Sequence, residues 1–403
     1  MHDSRPRMTR RGWTAALLFL AALALLLPPP LGAAERTTET EEIEPSPPLE
    51  RFVGFGIGWQ TPLASPGQPI PIWAILANAD GLAGEGTRLR LTVQTTTLSV
   101  LAEVPLAPRL FAGLRGGGTT ISGECAPYRY EEGERIKDLE IASSCAGAEL
   151  TAGLEPADGL RVRAFAGGKR IWFARVEETA PGLVKPAEHT RIAFGVEGSA
   201  DFLEHYLDWQ VQEGFEASFC AAYRIRDVWR SWGLPSKPQT RPGRHKEGAR
   251  ASFACGWAER LLVHHNLRLA LEGGVAWDAD VLSSFHLGST VGTPSLPGAY
   301  YGEIAADRYL FCQARYGLNL WTGARGWVTV KAGGFRETGG PTRGALGVSV
   351  GVTQKIFFGM PLTVEYGFCP TVDRKTGCGG HEVSVLLVGA VMLDELLGET
   401  GDG

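Results

Sequence analysis

The stretch at residues 344–368, GALGVSVGVTQKIFFGMPLTVEYGF, decides the fold. Leu346, Val348, Val350 and Val352 are apolar, and Gly347, Ser349, Gly351 and Thr353 between them are small or polar. After a turn at Phe358-Gly359-Met360-Pro361 the alternation resumes, with Leu362, Val364, Tyr366 and Phe368 on one face and Thr363, Glu365 and Gly367 on the other. A period of two marks strands, and a short Gly-Pro turn between them marks an antiparallel hairpin. One greasy face and one small or polar face fit two settings. The hairpin either covers a soluble core or stands in lipid with its back to water.

The beginning of the chain bears on that choice. Residues 1–34 read as an export signal: Arg5, Arg7, Arg10 and Arg11, then an apolar run over 13–27, then Pro28-Pro29-Pro30 and the small residues Gly32-Ala33-Ala34. The run is too short to span a bilayer easily, which disfavours the competing reading of a single anchor. No later stretch is apolar enough for a membrane helix, so an exported chain of this kind is either soluble or a barrel. The 403 residues include 53 Gly and 11 Trp, which suit many short strands and interfacial aromatic girdles. A net charge of −5 gives no indication of a nucleic-acid partner. Residues 35–50 are acidic and Pro-rich and read as a disordered periplasmic leader. Residues 51–393 carry no internal linker and read as one structure, followed by a short acidic tail at 394–403.

Alternation recurs along that structure. It is visible at 52–59, 72–78, 87–94, 98–104 and 110–115, then at 160–164, 171–176, 192–196, 202–211 and 215–225. Further segments follow at 253–257, 264–275, 310–320, 326–333 and 383–393. Residues 119–149, with Cys125 and Cys145, and the basic stretch 229–248 read as long exposed loops. The polar faces carry arginine at strand centres: Arg88, Arg90, Arg161, Arg163, Arg268 and Arg315. Buried arginine is rare in a soluble core unless paired, whereas in a barrel it lines a wet lumen. The expected fold is all-β, a transmembrane antiparallel β-barrel. Its strand count is even if both ends lie in the periplasm. The lumenal arginines either favour anions or pair with Glu103, Glu197, Glu272 and Glu365, and pairing is the favoured reading.

Several details resemble the BamA/TamA superfamily of outer-membrane barrels, also called bacterial surface antigens. The link at 78–89, NADGLAGEGTRL, is similar to that family's first strand-to-strand connection. Pro108-Arg109-Leu110-Phe111 is similar to its proline-containing strand start. The segments 309–333 and 344–368 resemble the last third of such barrels. The resemblance implies sixteen strands, a cell outer-membrane location, contact with outer-membrane lipids, and a role in outer-membrane protein assembly or translocation with barrel precursors as partners. The alternative is a passive pore or structural surface barrel that keeps only the architecture. The family's periplasmic POTRA domains have no counterpart in residues 35–50. Its arginine-glycine-aromatic loop motif is replaced by Leu296-Pro297-Gly298-Ala299-Tyr300, and the aspartate that meets it by Lys331. The expectation is therefore that the plug contact has been lost.

No catalytic, metal or cofactor site is expected. His264 and His265 are adjacent and would face opposite sides of a strand, one lumenal and one interfacial. His381, Glu382 and Ser384 lack a nucleophile motif. Disulfides are expected for Cys125–Cys145 and Cys369–Cys378, since each pair brackets a polar segment of an exported chain; Cys220–Cys255 is not, because the two fall on opposite faces, and Cys312 should be a lipid-facing thiol. Closure is expected between 52–59 and 383–393. There the first strand presents Gly54, Gly56 and Gly58 to the lumen beside the apolar row Leu386, Val388 and Ala390, a locally dry, weakly packed seam.

Overall fold

The computed structural model describes residues 51–392 apart from 63–69, 82–83, 95–96, 120–129, 132–133, 206–211, 239–245, 263, 290–293, 301, 322, 357–359, 373 and 375–378. The expected signal, leader and tail lie outside the described residues. Alternating sequence becomes a wall of 16 antiparallel strands. They are β1 (Arg51–Pro62), β2 (Ile70–Ala79), β3 (Arg88–Gln94), β4 (Thr97–Ala107), β5 (Leu110–Thr119), β6 (Ile141–Ala157), β7 (Leu160–Arg175) and β8 (His189–His205). The second half comprises β9 (Gln212–Arg226), β10 (Glu247–Leu262), β11 (His265–Trp277), β12 (Ile304–Trp321), β13 (Ala324–Glu337), β14 (Thr342–Lys355), β15 (Pro361–Cys369) and β16 (Gly380–Met392). Each strand pairs with its sequence neighbours, and β16 pairs with β1 from Phe52↔Met392 to Pro62↔Glu382, which closes the sheet. Closure leaves no edge with unpaired backbone groups, the condition for strands to stand in lipid.

Three places differ from the sequence reading. The segments 160–164 and 171–176 are one strand, β7, and 192–196 runs on into residue 205 as β8. Gly167, Gly168, Lys169 and Arg170 interrupt the apolar alternation in β7 without interrupting the hydrogen-bond ladder. The stretch 119–149 is not one exposed loop: from Ile141 it is wall, and Cys145 pairs in register with Thr119 and Ile171. Here the inward row, Ile141, Ser143 and Cys145, is buried beneath folded loops. The outward row, Ala142, Ser144, Ala146 and Ala148, is small rather than greasy, so the strand carries no two-faced signature.

Ile57, Trp59, Leu106, Leu150, Phe194, Phe202, Leu310 and Val350 are all exposed on the outside of the wall. Each large apolar side chain left in water forgoes about 1.5–3 kcal/mol, and a contiguous belt of them marks a lipid-facing surface. Cys312 lies exposed in this belt. The folded protein is therefore expected to need detergent and to migrate differently in unheated and heated detergent gels. A monomer that stays in solution without detergent would contradict the membrane wall.

The end that carries residues 51 and 392 has mostly tight turns, with Gly159 in the left-handed region (φ 74) between β6 and β7. The opposite end is capped by two packed clusters. One joins Leu139, Ile141, Ile171, Phe173, Leu183, Trp232 and Leu282, which brings loops from four hairpins over the mouth. The other joins Phe285, Leu287, Leu296, Ala299, Tyr309, Phe311 and Phe335, and belongs to the long β11–β12 connection, which folds into the lumen. Within that connection Phe285–Leu287 adds a short strand to the extension of β12.

Candidate functional site: the lumen, its inward loop and the seam

Period-two alternation directs the six arginines inward, and each has a polar partner there. Arg161 and Arg163 (β7) both reach Glu103 (β4), and Arg163 also reaches Glu197 (β8). Arg88 meets Glu155 at 2.5 Å, Arg268 meets Glu216, and Arg315 lies 3.7 Å from Glu365. The Arg90 Nε donates to the Asn78 Oδ1 at 3.0 Å. Arg115, not singled out from the sequence, bridges Glu149 at 2.8 Å and Glu197 at 3.1 Å. Arg90–Asn78, Arg163–Glu197 and Arg115–Glu149 join adjacent strands, whereas the pairs to Glu103, Glu155, Glu216 and Glu365 and the Arg115–Glu197 pair tie strands that are not neighbours in the sheet and brace the barrel from within. The carboxylates of Glu155 and Glu216 were invisible as partners because pairing between non-adjacent strands is not a function of sequence spacing, and Glu149 was missed because β6 was read as a loop.

The β11–β12 loop folds inward against β13–β16, the strands that follow it. The Lys331 Nζ (β13) donates to the Ser295 hydroxyl of the loop at 3.0 Å and holds Glu272 (β11) as well. The Gly298 N–H donates to the Glu382 carboxylate (β16) at 3.1 Å. Gly298 itself has φ 83, a conformation that glycine adopts without a Cβ penalty. The wall opposite is stripped to match. A Cβ at Gly347 would lie 2.9 Å from Pro297, one at Gly367 2.7 Å from the Gly298 nitrogen, and one at Gly380 2.1 Å from the Gly298 oxygen. The small inward faces of β14 and β15 thus form a track on which the loop backbone lies. At the loop's end Arg374 binds Glu303 with both guanidinium nitrogens, one at 2.8 Å, and stacks 4.1 Å over the Tyr300 ring. Burial would lower the Arg374 pKa, but the Glu303 carboxylate outweighs it and holds it above the ordinary value.

The arginine–aspartate pair has no counterpart, yet the loop stays inside the barrel. Pro297, Gly298, Tyr300 and Lys331 do not reproduce an arginine–aspartate pair; they belong to a different set of contacts that keeps the loop inside. Lys331 is nearly fully buried and supplies a cation from the wall, and Glu382 supplies an anion. The motif's absence signalled a change of partners, and only the paired geometry distinguishes that from a loss.

At the seam, Gly54, Gly56 and Gly58 face the lumen opposite Ala390, Val388 and Leu386. Val388 remains exposed inside, so this part of the seam is not dry, contrary to the expectation, although the Leu386 and Val388 side chains lean toward Gly56. A Cβ at Gly58 would meet the Val385 carbonyl oxygen at 2.1 Å, which makes this the tightest of the three positions.

Cys145 and Cys369 are buried, and Cys125 and Cys378 lie outside the described residues; among the described residues there is no disulfide. Cys145 sits in the wall rather than in an outward loop as expected. Cys220 and Cys255 are three rows apart, Cys220 opposite Ser252 and Cys255 opposite Ala217. His265 faces outward against Tyr316, while His264 lies in the exposed turn; neither lines the lumen as expected of one of them. His381 packs on Phe368 and Tyr366 outside, and Glu382 points in, so the two share no site.

The closed wall, the apolar belt and the charged, loop-filled interior define a transmembrane β-barrel with the fold of outer-membrane barrels. Solved structures with this fold include BamA from Haemophilus ducreyi lacking POTRA domains 1–3, at TM-score 0.56 and 11% identity over 84% of this chain and 70% of that one. CdiB from Acinetobacter baumannii aligns at TM-score 0.53 and 13% identity over 84% and 60% of the two chains. CdiB from Escherichia coli aligns at TM-score 0.51 and 11% identity over 84% and 63%. The chain spans less than two thirds of either CdiB chain. No family model matches it, and no curated protein matches its sequence.

Proposed function

We propose that this chain is a BamA/TamA-type barrel of the Gram-negative outer membrane, exported through residues 1–34, and that it assists assembly or translocation of other polypeptides, with barrel precursors as clients. In this reading the end carrying residues 51 and 392 faces the periplasm. The observation that carries it is the inward loop, which lies inside the barrel along β13–β16 and grips β16 through Gly298 and Glu382. A barrel whose first and last strands part sideways needs something to brace the closing strand from within. The glycine-lined inner face of β1 is consistent with such a joint, since side chains there contribute little packing across it.

The test uses cysteines at Gly56 and Val388, which are directly opposed in register. Oxidation is expected to join them in the membrane, and the locked barrel is expected to lose client insertion into proteoliposomes while the reduced form keeps it. Equal insertion by both forms would remove the seam from the mechanism, and no insertion by either would remove the assembly role. The alternative reading, a narrow solute pore or surface barrel, draws on the lumen cavities of ≈ 580 and ≈ 370 Å³. Steady single-channel conductance without client activity would favour it.

A further inference from the structure

The braces Arg115, Glu149 and Glu197 also border a cavity at the loop end of the lumen. A chamber of ≈ 370 Å³ against β5–β9 is lined by the cations Arg115, Lys169, Arg191 and Arg224 and by the carboxylates Glu149 and Glu197. Both carboxylates already bind Arg115, and Glu197 binds Arg163 as well. Lys169, Arg191 and Arg226 stand side by side in one cross-strand row over β7, β8 and β9. Asp280 engages Arg226 through two hydrogen bonds, at 3.0 and 3.2 Å, and thereby fixes the top of that row.

The wall beneath the cations is bare. Gly167, Ala193 and Ala222 form the floor, and a Cβ at Gly167 would meet the Glu149 side chain at 2.3 Å. Small residues thus hold open the space that the cations surround. The larger cavity of ≈ 580 Å³ shares Arg115, Glu197 and Cys220 with this chamber and adds Arg250. Together they have the size of a small-molecule site.

We propose that this chamber is a binding site for a small solute bearing two or more adjacent negative charges, a phosphate ester or polyphosphate. Guanidinium forks from neighbouring strands match phosphate oxygens bidentately, and a low-dielectric wall strengthens their pull. The site is independent of the assembly reading: a barrel that handles polypeptides and one that passes solutes would both carry it.

The experiment titrates inorganic pyrophosphate into the full-length folded protein in non-ionic detergent, by calorimetry, with glycerol as the neutral comparison. Pyrophosphate is expected to bind, and to bind more weakly as salt rises. The double variant Arg191→Gln/Arg224→Gln is expected to weaken binding about tenfold or more, while Arg343→Gln, in a strand end on the outer rim, leaves it unchanged. Heat-dependent gel migration verifies that each variant is folded. As a second measurement, Cys220 reports on the chamber directly. An anionic methanethiosulfonate should modify it faster than the cationic analogue, and excess pyrophosphate should slow that reaction. Equal pyrophosphate binding by the double variant, no binding by the wild-type chain, or faster modification by the cationic reagent would each overturn the site.

Discussion

Arg374→Met is expected to undock the inward loop. Arg374 and Glu303 are 3% and 5% exposed, and the carboxylate also accepts the Tyr300 backbone N–H at 2.8 Å. Methionine would fill the space but leave Glu303 charged and buried without its cation. Breaking a buried pair from one side costs about 3–5 kcal/mol, which is enough to populate an undocked loop. Hydrogen exchange read by mass spectrometry should show faster exchange over residues 294–303 with no change in β6 or β7. The double change Arg374→Met/Glu303→Gln should recover much of the protection, because it removes the stranded charge. If the single variant exchanges like the wild type, the latch does not hold the loop, and the loop's grip on β16 must be explained by Glu382 and the glycine track alone.

Val350→Arg should be the most damaging single change to the wall. Val350 is 52% exposed on the outer face, at the middle of β14, between Val328 and Tyr366. A charge at the midplane of a lipid-facing strand costs about 2–4 kcal/mol. Ser218→Lys, on the lumenal face of β9, should cost less than about 0.5 kcal/mol, since it meets water. Urea unfolding of the two variants in lipid vesicles separates the two faces. Equal destabilisation would mean that the outer surface of the strand does not face lipid.

The sequence alone determined the two-faced strands, the closure between the first and last of them, and which residues face in. The first and third follow from a period of two, which is a local property, and the closure follows from reading the strands as a barrel: once Leu346 and Val348 face lipid, Gly347 and Ser349 face the lumen, and the same logic places Arg161 and Arg163. It failed where the chain rises above the lipid. There β6 reads as a loop and β7 as two pieces, because an outward face under no demand to be greasy leaves no alternation to read. The tertiary structure decided what local order cannot encode. Arg115 meeting Glu197, Lys331 meeting Ser295, and Gly298 lying on Gly347, Gly367 and Gly380 are contacts across a lumen, between residues brought together only by the curvature and register of the whole sheet. From the chain, Pro297 and Lys331 looked like two halves of a lost pair. Once the wall closes, Lys331 receives the loop from one side and Glu382 from the other. The row Lys169, Arg191 and Arg226 likewise exists only because β7, β8 and β9 are in register, and that register turns three cations far apart in sequence into a single electrostatic surface.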